Sequence, residues 1–514
     1  MSYPIIDVSH WDVLGEEHPG YIGEREKEWI CDPENGNIAM FKIPREDRGE
    51  HWAEKISCEL ACKLDLPSAK VELAIRNGIT GCLSYFFVDK ANGYSHYDSG
   101  SFFQYFYDEN KKIIYKIEII EQLLQKHNLF EDFLSIVVFD ALVANGDRHQ
   151  DNWGITRHEK SGEIFISPMY DNSACLGRDF TEADIQKYLC SENEILRHLF
   201  KGKSKIGTIN KKSENHFSLI RYLYKSYPNR VEELLSRIAK LSDNDIEEIV
   251  NQLPYNILEE NYKKVVINFI KFRREILINI GDNMKNNIID LLLVWKDPDT
   301  RQRFVVGILS HNEKNEEYKY MYVNPEKNAA FSHGFQNFPS FPDLNEVYVI
   351  EGEIFPGIKP RLPNRKRENY PEILKKYNLD ATSSDMEILA ATRGRLGTDS
   401  FEFVQSIHFD SEEPFKVTFD LAAARRYDFP EIRLSLSENQ SVILIHDYAN
   451  PVDPFAVKVM YEHFCLGFVP KYYSQEIARM LESGHKYTAK IKTLDINNPN
   501  PDEWARIIVE VIHN

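Results

Sequence analysis

The chain has 514 residues, with 80 aspartates and glutamates against 62 lysines and arginines, and a formal net charge of −18 at pH 7. This charge argues against a general polyanion binder, because non-specific affinity for nucleic acid comes mostly from cationic side chains that release phosphate counterions. The length predicts about three or four domains, and the 42% content of hydrophobic residues is enough to give each domain a core.

The seven cysteines include no Cys-x-x-Cys pair, so the sequence indicates neither a disulfide framework nor a zinc site. The first residues lack the basic start and apolar core of a signal peptide. No run of the sequence reaches the roughly 18 apolar residues that a membrane span requires. We therefore expect a cytoplasmic protein that makes no membrane contact.

Residues 1–95 are predicted to form a strand-rich lobe around one helix. Turn residues separate two strands, at 28–31 and 38–43, in an arrangement typical of a hairpin. Between 52 and 66, apolar residues recur at helical spacing on one face. An apolar run at 83–88 indicates a buried strand.

Residues 96–285 are predicted to be mainly helical. Segment 130–143 is apolar nearly all round, as expected for a helix at the centre of a larger lobe. Apolar spacing predicts further amphipathic helices at 217–227, 231–239, 243–252 and 262–280. A small strand-rich lobe followed by a larger helical lobe is the order found in kinases.

Residues suited to phosphoryl transfer lie where the helical part begins. Asp147 is followed five positions later by Asn152 and, after a short hairpin, by Asp171. Magnesium-dependent phosphoryl transfer needs one carboxylate to orient a hydroxyl, and an amide and a second carboxylate to bind Mg²⁺. His149 is expected to brace the loop by hydrogen bonds rather than to transfer protons. We predict a kinase with Asp147 as general base and Asn152 and Asp171 as metal ligands.

Lys42 is a second candidate, because it lies inside an apolar strand where an unpaired charge would be costly. The following helix supplies Glu54 and Glu59, and kinases use such a pair of strand lysine and helix glutamate to position the lysine against ATP phosphates. We predict that Lys42 and Glu54 belong to the ATP site. The alternative is a lysine at a sheet edge with its amine in water.

Residues 21–29 are predicted to fold over the nucleotide, because they lie between two candidate strands and contain a glycine among charged residues. Backbone N–H groups and the charges of Arg25 and Lys27 would then bind phosphate oxygens. The candidate phosphate-binding residues are Gly23, Glu24, Arg25 and Lys27. Only one glycine is present, so an ordinary charged hairpin is the alternative.

These motifs resemble those of HipA-type serine/threonine kinases, the toxin family of bacterial toxin and antitoxin pairs. That family has an Asp-x-His-x-x-Asn core in its catalytic loop and a Tyr-Asp metal motif, which match Asp147, His149, Asn152 and Tyr170-Asp171 here. The resemblance covers about residues 15–280. It implies a two-lobed kinase fold, ATP and Mg²⁺ as cofactors, a protein substrate phosphorylated on serine or threonine, and an antitoxin-like partner.

One departure concerns regulation. HipA-type kinases often carry a serine in the phosphate loop whose autophosphorylation shuts the enzyme off, but none of residues 21–29 is Ser or Thr. This switch is therefore not expected here. Residues 286–410 are similar to the small α/β domain that normally precedes a HipA kinase, although here the region follows the kinase.

The end of the chain resembles a HIRAN domain through residues 450–459 and 466–470, followed by a helix at 474–481. HIRAN domains form small barrels, and some bind the ends of single-stranded DNA. The aromatic residues that could stack on bases are Tyr448, Phe455, Tyr472 and Tyr473. Residues 412–514 hold 11 lysines and arginines against 15 aspartates and glutamates, which opposes strong DNA binding. A protein-docking role is the alternative.

The predicted fold class is α+β in four parts. These are a kinase N-lobe at 1–95, a helical kinase C-lobe at 96–285, a HipA N-terminal-like region at 286–410 and a HIRAN-like β-barrel at 411–514. The predicted activity is transfer of the γ-phosphate of ATP to a protein hydroxyl, with the HIRAN-like part serving targeting or DNA binding.

Two other functions stay open. The loop from Gly146 to Asn152 also resembles the Gly-Asp-Arg-His-x-x-Asn loop of phosphatidylinositol-type lipid kinases, but those enzymes keep Asp-Phe-Gly where this chain has Tyr170-Asp171-Asn172. A pseudokinase scaffold that binds DNA or a protein partner is the other alternative. Competent residues at Lys42, Asp147 and Asp171 speak against it.

Overall fold

The computed structural model describes residues 2–14, 27–102, 115–285, 290–312, 316–409, 415–498, 500 and 503–511. Helices and strands both contribute to it, so the predicted α+β class is confirmed. The chain divides into two compact units. The first comprises Met1–Lys285 and Glu368–Thr382, and the second comprises Asn286–Arg367 and Ser383–Asn514. The four-part division expected from the sequence stays a prediction.

A six-stranded sheet opens the first unit. Its strands are β1 (Ile5–Asp7), β2 (Asp12–Val13), β3 (Lys27–Cys31), β4 (Ile38–Lys42), β5 (Val71–Arg76) and β6 (Ile79–Tyr85). They lie in the order β1-β5-β6-β4-β3-β2, with β1 parallel to β5 and the other neighbours antiparallel. The predicted hairpin is present as β3 and β4.

The predicted strand at 83–88 is displaced in the structure, where β6 begins at Ile79 and ends at Tyr85. Asn77 and Gly78 both have positive φ and form the two-residue turn that joins β5 to β6. Such turns favour Asn-Gly, and they fix the register of the hairpin. The turn chemistry therefore sets the strand boundary, whereas the apolar run alone did not.

Helix α1 (Glu50–Lys63) contacts β5 and β6 and corresponds to the predicted helix at 52–66. Ile56 and Leu60 are fully buried on its inner face, as their spacing predicts. Glu54, two residues before Ile56, is also buried. A buried carboxylate requires a cationic partner, so this helix turn is where the lysine of β4 is expected to be bound.

The larger part of the first unit is helical. Its helices are α2 (Ser99–Phe102), α3 (Ile117–Gln125), α4 (Phe130–Val143), α5 (Glu182–Cys190), α6 (Glu192–Leu199), α7 (His216–Ser226), α8 (Pro228–Lys240), α9 (Asp243–Asn251) and α10 (Glu260–Lys285). Helix α4 is central, because it packs against α3, α7, α8 and α10. Among the described residues, none of the helices has both the length and the apolar character that crossing a bilayer demands.

A small antiparallel sheet positions the chemistry-bearing segments. It consists of β7 (Tyr94–Asp98), β8 (Gly154–His158) and β9 (Ile164–Ile166), in that order. Asn152 lies two residues before β8, and Asp171 lies five residues after β9. The hairpin of β8 and β9 therefore turns the chain back between the two predicted metal ligands.

A segment distant in sequence completes the first unit. Residues 368–382, which include α11 (Tyr370–Lys376), pack beside α6. The buried Asp380 Oδ2 accepts a hydrogen bond from Arg221 Nη2 of α7 at 3.1 Å. Lys375 Nζ lies 4.2 Å from the centre of the Phe272 ring. The sequence placed this segment in a separate region, because long-range contacts leave no local pattern.

The second unit begins with a five-stranded antiparallel sheet. Its strands are β10 (Asp290–Lys296), β11 (Arg303–Asn312), β12 (Glu317–Tyr322), β13 (Tyr348–Glu351) and β14 (Phe401–Gln405). Their order is β13-β12-β11-β10-β14, and helix α12 (Asp385–Thr392) contacts β10 and β14. A buried ion-pair cluster of Arg393, Glu402 and Asp420 joins this sheet to the elements that follow.

Two three-stranded sheets follow within the second unit. The elements are β15 (Lys416–Asp420), α13 (Phe429–Ile432), β16 (Ile443–His446), β17 (Val457–Tyr461), β18 (Phe464–Phe468), α14 (Lys471–Glu482), β19 (Tyr487–Leu494) and β20 (Ala505–Val511). The sheet orders are β15-β20-β19 and β16-β17-β18, linked by isolated bridges at Ala422 to Phe468 and at Ser441 to Lys490. The predicted barrel stays a prediction.

The four aromatic residues predicted to stack on bases differ in their exposure. Tyr448 is 76% exposed. Tyr473 is 1% exposed and donates its hydroxyl to the Gln405 carbonyl at 2.7 Å, so its ring belongs to the core and is not accessible to a base. The prediction for Tyr473 is therefore wrong. Phe455 and Tyr472 are partly buried against the same core.

Candidate active site

Three predicted residues meet between the first sheet and the helical part. Lys42 Nζ, at the end of β4, lies 2.7 Å from Glu54 Oε1 on α1 and 3.3 Å from Asp171 Oδ1. Glu59, the other candidate partner, instead accepts from Lys55 Nζ at 2.7 Å. The ion pairs of Lys42 therefore link the sheet to α1 and to the segment after β9.

The charge state of Lys42 follows from its surroundings. Burial alone would lower the pKa of Lys42, because a cation loses hydration in the interior. The carboxylates of Asp171 and Glu54 outweigh burial and raise this pKa above its ordinary value. Lys42 is thus a fixed cation at physiological pH, as a phosphate-binding lysine must be.

The predicted catalytic loop starts where α4 ends. Ala144 has a left-handed φ of 57°, which turns the chain out of the helix, and Asn145 Oδ1 accepts from the Asp147 backbone N–H at 3.1 Å. The Asp147 side chain is 42% exposed, so an incoming hydroxyl could reach it. His149 Nδ1 accepts from the Asp151 backbone N–H at 3.2 Å.

Asn152 is oriented by a single well-formed bond. Its Nδ2 donates to the Asp147 carbonyl at 2.7 Å, so the amide nitrogen faces back into the loop. The bond leaves Oδ1 as the amide atom that could bind a cation. An amide oxygen and the Asp171 carboxylate are hard donors of the kind Mg²⁺ prefers, and phosphate and water fill its other positions. Asn152 and Asp171 therefore fit a magnesium ion.

Arg148 holds the loop together, a role that its sequence motif did not predict. Its fully buried guanidinium contacts Asp140 Oδ1 at 2.8 Å and donates to the carbonyls of Asn152 at 2.6 Å and Tyr170 at 2.9 Å. It also donates to the Asn172 side chain. One side chain thus fixes α4, the catalytic loop and the metal-motif segment relative to each other.

The electrostatics of this contact explain why Arg148 can be buried. Burial would lower the pKa of Arg148, but the Asp140 carboxylate raises it above its ordinary value. A signal for this pair exists in the sequence, since Asp140 is an acidic residue within the otherwise apolar second half of α4. Such a residue needs a cation, and Arg148 is the first arginine after it.

The segment around Asp171 is fixed by packing. Asp171 has a φ of 53°, a left-handed conformation that turns its side chain toward Lys42. The preceding Tyr170 stacks on Phe87, with ring centres 5.8 Å apart, and its hydroxyl donates to the Asp151 carbonyl at 3.2 Å. The ring and its hydroxyl therefore anchor the backbone that carries Asp171.

The predicted phosphate loop lies mostly beyond the part of the chain that the structure describes, and Gly23, Glu24 and Arg25 are all outside the described residues. Lys27 is the first residue of β3 and is the cross-strand partner of Lys42. Directly opposed residues of an antiparallel pair have side chains on the same face of the sheet. Lys27 therefore shares a face with Lys42.

A further cation lies beside Asp147. Lys205 Nζ, from the loop between α6 and α7, is 3.6 Å from Asp147 Oδ1. The two residues are 58 positions apart, and no motif marks Lys205, so the sequence offered no signal for this contact.

Comparison with known proteins gives one significant curated relative. Over 152 residues the chain is 25% identical to the serine/threonine-protein kinase CtkA of Helicobacter pylori. The chain is homologous to a serine/threonine protein kinase. The match takes in 29% of this chain and 45% of CtkA, so the chain spans less than half the length of that relative. No family model matches the chain.

Solved structures that align with the chain include the same kinase and a component of a toxin–antitoxin system. The crystal structure of CtkA aligns over 55% of this chain and 98% of its own, with 20% identity and a TM-score of 0.46. Shewanella oneidensis HipA, in a complex with HipB and operator DNA, aligns over 55% of this chain and 67% of its own, with 16% identity and a TM-score of 0.33. The predicted resemblance to a serine/threonine kinase is confirmed by the sequence match to CtkA.

The HIRAN resemblance is weak and partial. The HIRAN domain of human HLTF aligns over 19% of this chain and 72% of its own, with 15% identity and a TM-score of 0.15.

Proposed function

We propose that the chain is an ATP- and Mg²⁺-dependent serine/threonine protein kinase of the HipA type. The observation that carries the proposal is the pair of ion pairs at Lys42. Lys42 Nζ lies 2.7 Å from Glu54 Oε1 and 3.3 Å from Asp171 Oδ1. Phosphoryl transfer depends mainly on positioning and on neutralising phosphate charge, and this arrangement supplies both.

Asp147 is proposed to orient the acceptor hydroxyl and to take its proton. Its side chain is accessible, and its backbone is fixed by Asn145 on one side and by Asn152 on the other. A carboxylate held in this way has a defined position before the substrate binds, which is what a general base requires.

Asn152 and Asp171 are proposed to hold Mg²⁺, which when bound would neutralise charge on the transferred phosphate. Lys42 would bind the α- and β-phosphates of ATP, with Glu54 keeping its side chain extended. Lys27 on the same face, together with Gly23, Glu24 and Arg25, is proposed to cover the phosphates. His149 is proposed to support the loop.

A protein is the proposed acceptor, as it is for the kinase relative, and an antitoxin-like partner belongs to the same proposal. Since ATP is the phosphate donor, we expect the enzyme to act in the cytoplasm. The HIRAN-like end is proposed to serve targeting. Its excess of acidic residues favours a protein partner over single-stranded DNA.

The test is transfer of labelled γ-phosphate from ATP, with Mg²⁺, to the protein itself and to a cell lysate. Asp147→Ala and Asp171→Ala should each lower transfer at least about 100-fold, because each removes a group that acts on the reacting atoms. Asp299→Ala, at an exposed aspartate of the second unit, is the matched control and should retain full activity. Equal transfer by all four proteins would refute the proposal.

A further inference from the structure

The loop between α6 and α7 differs in charge from the rest of the chain. Residues 201–213, here called the lysine loop, contain five lysines and no aspartate or glutamate, whereas the whole chain has a formal net charge of −18. All five lysines are exposed: Lys201, Lys203, Lys205, Lys211 and Lys212. The lysine loop is therefore a local cationic surface on an acidic protein.

Backbone hydrogen bonds hold the lysine loop in one shape. Gly207 donates to the Tyr115 carbonyl at 3.1 Å and accepts from Ile117 at 2.9 Å. Thr208 and Lys211 exchange two backbone bonds across a tight turn, each of 3.0 Å. A Cβ at Gly207 would lie 2.3 Å from the Lys211 carbonyl oxygen, so only glycine allows this close approach. The positions of the lysines are thus fixed before any partner arrives.

Burial alternates along the start of the lysine loop. Ser204 and Ile206 are buried, whereas Lys203 and Lys205 between and beside them point to solvent. At the tip of the turn, Ile209 is 77% exposed. The alternation directs the side chains of Lys203 and Lys205 outward, which is the arrangement of a contact surface rather than of a core segment.

The lysine loop borders the proposed catalytic residues directly. Lys205 Nζ is 3.6 Å from Asp147 Oδ1. A Cβ at Gly146 would lie 3.4 Å from the Lys203 carbonyl oxygen, so the two loops touch at the residue before Asp147. A substrate whose hydroxyl reaches Asp147 must therefore pass next to these lysines.

Acidic groups of the protein neutralise only part of this charge. Glu214 Oε1 is 3.0 Å from Lys211 Nζ, and Asp147 is the contact of Lys205. Glu118 Oε1 accepts from the Ile209 backbone N–H at 3.0 Å rather than from a lysine of the loop. Lys116 adds a further cation, since its Nζ donates to the Lys211 carbonyl. The surface keeps a net positive charge.

We infer that the lysine loop selects the protein substrate by binding an acidic segment next to the phosphorylated serine or threonine. The inference rests on the proposed kinase function and adds the substrate class. Opposite charge at such a surface steers encounter and penalises like-charged substrates, so it determines specificity more than bare affinity. Because the proposed acceptor is a protein hydroxyl, an acidic peptide fits this surface better than a nucleic acid does.

The test compares peptides that share a central serine and differ only in their flanking residues, which are glutamates, glutamines or lysines. With the full-length protein at low salt, we expect kcat/KM for the glutamate peptide to exceed that for the glutamine peptide about tenfold, and the lysine peptide to be the poorest. High salt should reduce the preference, because exposed charges are screened.

Two matched variants assign the preference to the lysine loop. Lys203→Gln with Lys212→Gln should lower the glutamate-to-glutamine ratio at least about threefold and leave transfer to the glutamine peptide unchanged. Lys240→Gln with Lys264→Gln removes the same charge from exposed positions of α8 and α10 and should leave the ratio as it is.

Two sets of outcomes separate the inference from the proposed function. Equal rates for the glutamate and glutamine peptides, or an equal loss of preference in both double variants, would overturn the inference and leave the kinase in place. Binding of a labelled single-stranded oligonucleotide through Lys203 and Lys212, without any preference for the glutamate peptide, would also overturn it. If no peptide is phosphorylated and wild type cannot be distinguished from Asp147→Ala, both the inference and the proposed kinase function are contradicted.

Discussion

Arg148 shows how one buried cation can determine the geometry of a whole loop. Its guanidinium binds the Asp140 carboxylate and the carbonyls of Asn152 and Tyr170, with distances of 2.6 to 3.0 Å. The two carbonyls belong to the segments that carry the proposed metal ligands. Arg148 therefore contributes both to the stability of the fold and to the position of the proposed metal ligands. Substitutions can separate these two effects.

Arg148→Met should lower the free energy of unfolding by about 3 to 5 kcal/mol, because it leaves Asp140 buried without its cation. The double variant Arg148→Met with Asp140→Leu removes both charges and should regain most of that stability. Its phosphate transfer should still be about 100-fold below wild type, since the loop has lost its alignment. Urea denaturation and the transfer assay measure the two effects. A fully active double variant would contradict the positioning role.

His216 makes stability depend on pH. It is buried, and burial together with the nearby Arg273 cation holds its pKa well below the ordinary value. The unfolded chain binds a proton as pH falls through about 6.5, whereas the folded chain does not. The free energy of unfolding should therefore fall as the pH is lowered from 7.5 to 5.5, and about 1 kcal/mol of that fall should be due to His216.

The measurement is urea denaturation at both pH values for wild type, His216→Asn and the exposed control His10→Gln. His216→Asn should lose its share of the pH dependence, and His10→Gln should behave as wild type. An unchanged pH dependence in His216→Asn would show that His216 does not contribute.

Residue patterns predicted the site where a contact is local or where a motif marks the residues. Lys42 and Glu54 are 12 positions apart on consecutive elements, so a lysine in an apolar strand and a glutamate on the next helix could be paired from the sequence. Lys205 and Asp147 have no such relation. The contact between them depends on how α5, α6 and the lysine loop fold back toward α4, and periodicity carries no information about that.

At the scale of elements, the spacing of apolar residues predicted the bounds of α7 better than an apolar run predicted those of β6. The helix predicted at 217–227 is α7, His216–Ser226, because its buried face repeats every three to four residues. The strand predicted at 83–88 was displaced, because a short apolar run has no period that fixes its ends. The spacing thus located α7 to within one residue, whereas the start of β6 follows from the Asn77-Gly78 turn.

Helix α11 and its flanking residues are held to the first unit by a buried ion pair. Asp380 Oδ2 and Arg221 Nη2 are 3.1 Å apart, and Asp380 is 1% exposed. Asp380→Ala should lower the free energy of unfolding of the first unit by about 3 kcal/mol, because it removes the buried carboxylate that is paired with the Arg221 guanidinium. The control Asp385→Ala breaks a pair with the exposed Arg365 and should cost less than about 1 kcal/mol.

Hydrogen exchange of residues 368–382 gives a local readout for the same variants. Asp380→Ala should increase exchange in this segment, and Asp385→Ala should not. Equal protection in both variants would mean that the ion pair does not hold the segment in place.

At the scale of the whole molecule, the sequence predicted the α+β class and the order of a strand-rich region before a helical one. It did not predict that residues 368–382, from the second half of the chain, belong to the first unit. Nor did it predict the buried cluster of Arg393, Glu402 and Asp420, which joins sheets on both sides of the expected boundary near residue 410. Both features depend on tertiary contacts between distant segments.

The central claim is that Asp147 acts on the acceptor hydroxyl while Asn152, Asp171 and Lys42 hold ATP and Mg²⁺. Comparison of wild type with the isosteric Asp147→Asn tests it most directly, by measuring ATP binding with Mg²⁺ and phosphate transfer on the same samples. We predict unchanged ATP binding and transfer at least about 100-fold slower in the variant. Transfer at the wild-type rate, or loss of ATP binding together with transfer, would contradict the account.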